Sequence, residues 1–224
     1  MRKIVLLASL VAVVAAWSVV VGTGVAGAAS GNGKTRCGSG PTPAAGSTVN
    51  GGLVVDGNCV LVNVTVNGGL TVEATGSLSQ QGGRINGGLT NNGGEVDLNA
   101  TNNGVGFPTG TTSTVNGGVT INNGADTDLW TAQINGGLAV NGTGNFLQVC
   151  GNNVTGQASI SNVSGAIGIG GAYGCPGNTF GSSLSLTSSF IFLGGNTIGA
   201  NLLCTSTTVI VTAPNTIGGT NTCY

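Results

Sequence analysis

Two pairs of carboxylates, Glu95 with Asp97 and Asp126 with Asp128, are the residues of this sequence best placed to do chemistry. The dipeptide Asp-Leu recurs at 97–98 and 128–129, so a fold that stacks the two segments would gather four acidic groups on one surface. Only six of 224 residues are acidic, which makes the grouping informative. Trp130 falls on the same side of an alternating strand as Asp128. Stacked carboxylates repel one another, and they respond by raised pKa values, by binding a cation such as Ca²⁺, or by splaying into water. A carboxylic acid beside a carboxylate could act as acid and base on a glycoside, with Trp130 against a sugar ring. The same four acidic residues could instead hold Ca²⁺, or could simply be solvated groups that keep a nearly neutral rod soluble.

Other chemistries find no residues. The chain has no His, which removes the Ser-His-Asp and Cys-His nucleophile systems, and no catalytic residue is assigned. With five basic residues and a formal net charge of −1, it is not a nucleic-acid binder. No cofactor is expected apart from Ca²⁺. The six cysteines lack His partners and any CxxC spacing, so disulfides are preferred to a metal or redox site.

What would position the carboxylates is a repeat. VNGGLTV at 66–72 has close copies in VNGGLVV, INGGLTN, VNGGVTI and INGGLAV. The unit has an aliphatic residue at position 0, a small one at +2 and apolar residues at +4 and +6. It can be laid on Val49, Val66, Ile85, Val115, Ile134, Val154, Phe180, Ile198 and Ile217, with most intervals near 19 residues. Alternation places Val66, Gly68, Leu70 and Val72 on one side of a half-buried strand, with Asn67 and Gly69 near a bend. A second apolar run follows most units, and no window beyond the amino terminus has helical periodicity.

Strands recurring at this interval, with no room for a crossover helix, stack in parallel only by coiling. The expected fold is all-β: a single-stranded parallel β-helix of about nine coils of ~19 residues, right-handed by the usual preference of parallel connections, and disulfide-stapled. Cys204 and Cys223 both occupy position +6 of consecutive units and should pair. Cys150 with Cys175 and Cys37 with Cys59 are the other expected bridges. Thr precedes position 0 in six units, which suggests a hydrogen-bonding ladder.

The first 28 residues, MRK followed by an apolar run from Ile4 to Val21 and small residues up to Ala28 and Ala29, read as a signal peptide. Residues 29–47 read as a flexible Gly/Pro-rich tail, and 48–224 as the β-helix domain. The chain is accordingly expected outside the cell or on its surface, with no membrane attachment after signal cleavage. A longer interval between units leaves an insertion at 99–112, beside the acidic patch.

The runs GNCVLVNVTVNGGLTV (57–72) and NTIGANLLCTSTTVIVTAPNTIGGTNTC (196–223) resemble secreted bacterial Gly/Asn/Thr-rich repeat proteins with GNxT-type coils, broadly similar to the pectin-lyase-like superfold. The resemblance implies a fold and no settled activity. Hydrolytic members of that superfold use a His and basic groups near paired Asp, and this chain offers only Arg84 within its coils. The leading expectation is a non-enzymatic structural or adhesive surface protein, a rigid rod of the cell envelope or matrix. Its partners would be envelope or matrix polysaccharide, or further copies met through the coil ends. Carbohydrate binding or processing at the acidic patch with Trp130, by a hydrolase or lyase, is the first alternative. Ice binding through the outward +5 residues is the second; that column mixes Thr with Val54, Ala139 and Leu203.

Overall fold

The computed structural model describes residues 33–99, 111–171 and 174–224; the expected signal peptide and most of the insertion lie outside this set. Every regular element among the described residues is a β-strand, and the strands pair in parallel. They build the expected β-solenoid of about nine turns. Val49, Val66, Ile85, Val115, Ile134, Val154, Phe180, Ile198 and Ile217 form one unbroken column across nine short strands, from Thr48–Asn50 to Thr216–Ile217. This is the first stack. Position +4 forms a second column from Leu53 through Leu70, Leu89, Val119, Leu138, Ala158 and Leu184 to Leu202. The strands that carry it are the second stack.

A third stack carries the acidic residues. It contains Asn58–Val62, Ser77–Gln81, Glu95–Leu98, Ala166–Ile169, Phe190–Leu193 and Thr208–Val211. Val119–Trp130 and Leu138–Cys150 run through the corner between the second and third stacks and join both into one fifteen-stranded sheet. A register shift between Gly124 and Asp126 marks where the longer chain turns that corner. Aliphatic side chains from all three stacks meet in one core, where Leu61, Leu98, Leu129, Ile134 and Phe180 have no exposed surface. Each such burial stabilises the fold by about 1.5–3 kcal/mol relative to an exposed side chain.

VNGGLTV is not one strand, as alternation suggested. Thr65–Asn67 ends the first stack, the chain turns at Gly68 and Gly69, and Leu70–Val72 begins the second. Gly68 adopts φ 133°, a backbone conformation that side chains disfavour, and a methyl group there would lie 2.8 Å from the Gly52 nitrogen one coil away. The corner is therefore built by backbone resting on backbone. Gly87 N–H donates to Gly68 C=O and Gly117 N–H to Gly87 C=O, each at 3.0 Å.

Among the described residues, asparagines rather than threonines form the hydrogen-bonded ladders. On the exposed face of the first stack, Asn67 donates to Asn50, Asn86 to Asn67, Asn116 to Asn86 and Asn135 to Asn116, at 2.7–2.9 Å. A second ladder is buried at the corner leading into the first stack. The Asn178 side chain accepts from the Asn152 backbone N–H at 2.9 Å and donates to Val149 C=O at 2.8 Å. Asn196 and Asn215 extend it. These amides satisfy backbone groups that the turning chain leaves without a strand partner.

All three expected disulfides are present, with Cα separations of 5.6 Å for Cys37–Cys59, 5.1 Å for Cys150–Cys175 and 5.0 Å for Cys204–Cys223. The described part of the expected flexible tail is docked instead. Thr35–Cys37 pairs with Leu53–Val55, Cys37 is buried, and Asp56 accepts from Ser39 and from Arg36.

Candidate functional site

Strand register brings the acidic residues together. Asp97 lies beside Asp128 and Leu98 beside Leu129 on adjacent coils, with both leucines in the core. The outward column through this point reads Ser79, Asp97, Asp128, Gln148 and Gly168. Glu95 and Asp126 stand two residues earlier on the same strands, and Ser77 donates to Glu95 at 3.0 Å. The alternation thus places all four carboxylates on one face, as the sequence implied.

Two of the four are withdrawn from water, while Glu95 and Asp126 stay partly exposed. Asp97 is 7% exposed and Asp128 5%, while Ser79 and Gln148 above and below are equally buried. One oxygen of Asp128, Oδ1, is buried without a hydrogen-bond partner among the described residues. Burial raises the Asp97 pKa to about 7, helped by the neighbouring charges of Asp128, Glu95 and Asp126. Burial likewise raises Asp128 to about 6, with Asp126 and Glu95 adding to the effect. Near neutral pH the pair holds a proton on one of its two carboxyls for part of the time.

Trp130 points to the same side but packs against the Cys150–Cys175 disulfide, and only 7% of it is exposed. Its Nε1–H donates to Gln148 Oε1 at 3.2 Å. The ring therefore has no open face for the sugar-stacking role that the sequence suggested. Asn99 stands beside it at the turn, accepting from Gly82 N–H at 3.0 Å and donating to Trp130 C=O at 2.9 Å. The buried corner role of Asn99, Asn152, Asn178 and Asn196 is what sequence reasoning missed. Its signal is the Asn that recurs two residues before position 0 at 152, 178, 196 and 215.

Among the described residues, no three His, Cys, Asp or Glu side chains converge closely enough to hold a metal ion. Glu95, Asp97, Asp126 and Asp128 form two adjacent pairs rather than a ready cage. Coil spacing of ~4.8 Å sets the separation of the two strands, close to the carboxylate spacing of retaining glycosidases, about 5–5.5 Å. A shallow hollow on the outward side of the second stack, lined by Thr120, Ala139, Gln157 and Ser159 among others, includes none of the acidic residues. No family model matches this chain, and no curated protein or solved structure matches it either.

Proposed function

We propose that this chain is a secreted, non-enzymatic structural or adhesive protein, a rigid rod of the cell envelope or extracellular matrix. The observation that carries the reading is the position of the three disulfides: one ties Cys37 into the first coil, one joins neighbouring coils midway, and one joins the last two coils. Bridges in those places resist unravelling and persist in an oxidising setting. The outward faces carry mainly Asn, Thr, Ser and Gly, side chains suited to hydrogen bonding with polysaccharide or matrix rather than to bond breaking. Incubation of the purified chain with envelope and matrix polysaccharides should give retention without turnover. Reproducible hydrolysis or β-elimination would overturn the proposal.

A second reading is favoured by one feature, the juxtaposition of Asp97 with Asp128, whose Oδ1 is buried without a hydrogen-bond partner among the described residues. In that reading the pair is an acid and base acting on a glycan that reaches it when the surrounding surface opens. Loss of a measured polysaccharide activity in both Asp97→Asn and Asp128→Asn would establish it, and retention of that activity in either variant would remove it.

A further inference from the structure

Ten asparagines of the chain precede a glycine, and eight of these pairs lie wholly within the described residues. An asparagine so placed is open to attack by its own backbone. The glycine nitrogen can close on the side-chain carbonyl carbon with no side chain in the way, and the amide is lost as ammonia. Ring closure needs a side chain free to fold back and a glycine N–H that is not tied up.

Seven of the eight pairs are restrained. Asn86 donates to Asn67 and accepts from Asn116, Asn116 donates on to Asn86 and accepts from Asn135, and the N–H groups of Gly87 and Gly117 are bonded to the neighbouring coil. Asn67 and Asn135 are held at both ends of their amides. Asn50 accepts from Asn67, and Gly51 N–H donates to Asn67 C=O at 3.0 Å. Asn123 and Asn141 precede glycines that lie inside the strands Val119–Trp130 and Leu138–Cys150.

Asn92 is the exception. It ends the strand Leu89–Asn92, it is exposed, and Gly93 follows outside any strand at φ 103°. Neither the Asn92 side chain nor the Gly93 N–H has a hydrogen-bond partner among the described residues. The residues on either side are fixed instead: Asn91 donates to Gly94 C=O at 2.7 Å, and Gly94 N–H donates to Asn91 Oδ1 at 2.8 Å. Asn92 and Gly93 therefore project from a pinned turn.

We propose that Asn92 is a site of self-modification, where the chain closes a succinimide on Gly93 while the asparagine ladder keeps its own sites intact. The Gly93 nitrogen bonds to Asn92 Cγ, the Cγ–Nδ2 bond breaks, and the proton from Gly93 leaves with the ammonia. Water then opens the ring at either carbonyl, leaving an aspartate or an isoaspartate. Both products add a negative charge three residues before Glu95, just ahead of the strand that carries Asp97. Isoaspartate also adds a backbone carbon to a turn whose span the Asn91–Gly94 bonds hold fixed. Ageing thus begins beside the acidic pair. This inference does not depend on the function proposed above.

Peptide mapping by mass spectrometry, after incubation of the folded chain at pH 8 and 37 °C with disulfides intact, tests it. Asn92 should convert about tenfold faster or more than Asn86 and Asn116, each of which must first give up two side-chain bonds. In the reduced chain unfolded in urea the three rates should converge, since all three precede glycine. Asn67→Ser removes the acceptor on which the Asn86 amide rests, and it should speed conversion of Asn86 by about two- to tenfold while leaving Asn92 unchanged. Unaltered circular dichroism shows that this variant retains the fold. Equal rates in the folded chain, a difference that survives unfolding, or an Asn86 rate unmoved by Asn67→Ser would each overturn the proposal.

Discussion

Replacing Asp97 by Asn should stabilise the protein at alkaline pH, and by an amount large enough to measure. The Asp97 carboxyl is 7% exposed and next to Asp128, and its pKa moves from 3.8 to about 7. At 1.36 kcal/mol per pH unit that difference corresponds to ~4 kcal/mol at most, shared with Asp128 because the two titrate together. A carboxyl whose pKa is raised on folding binds more protons in the native state than in the unfolded chain. Its stabilising contribution is complete below about pH 4 and is lost as pH rises through about 7. Asp128, raised to about 6, acts in the same direction over a slightly lower window. Asp56 acts oppositely: hydrogen bonds from Ser39, then Arg36, lower it to about 2, so its contribution is lost only as pH falls below about 4. Urea unfolding at pH 4.5, 6 and 8, with disulfides intact, separates these effects. The wild type should weaken steadily across that series. Asp97→Asn should match it at pH 4.5 and exceed it by a few kcal/mol at pH 8. Wild-type stability that is flat or rising between pH 4.5 and 8, or an Asn variant with no gain at pH 8, would refute the reasoning. Loss of stability on adding EDTA at pH 8 would show instead that a cation neutralises the pair.

Gly68→Ala should cost about 1–3 kcal/mol or prevent folding, because the new methyl meets the Gly52 backbone at a φ that alanine disfavours; thermal unfolding followed by circular dichroism reads the loss. Replacing Cys204 and Cys223 by Ser should lower stability by about 3 kcal/mol on the chain-entropy estimate for a loop of this size, seen as a lower urea midpoint. The two asparagine ladders should respond unequally. Asn178→Ala strips partners from buried backbone groups and should cost about 3 kcal/mol or more, whereas Asn86→Ala on the exposed ladder should cost about 1 kcal/mol, in the same assay.

The parts of the fold legible in the sequence are those marked by side chains that must go inside. Positions 0, +4 and +6 are apolar in coil after coil, and the structure stacks them in the register implied by their spacing, which also brought Cys204 to Cys223. Corners were less legible. A glycine pair carries no side chain to report that Asn67 and Leu70 belong to different strands, and Asn178 resembles any turn asparagine until the neighbouring coil supplies its partners. Ala166–Ile169 does not stand out in the sequence, because Ala166 and Gly168 give it too little apolar character. For the carboxylates, alternation correctly assigned the side on which Asp97 and Asp128 lie. It says nothing about what covers that side, so their burial and the enclosure of Trp130 could come only from the folded chain.

The bridges between Cys37 and Cys59 and between Cys204 and Cys223 sit at the places where a stack of coils is weakest. In such a stack each coil is held only by its neighbours, so fraying normally starts at a free end and proceeds inward. Here the first and the last described coils are each tied covalently. A pulling force would have to break the column in its interior, where several strand pairs yield together, and the molecule should behave under tension as a brittle cable rather than one that unwinds turn by turn.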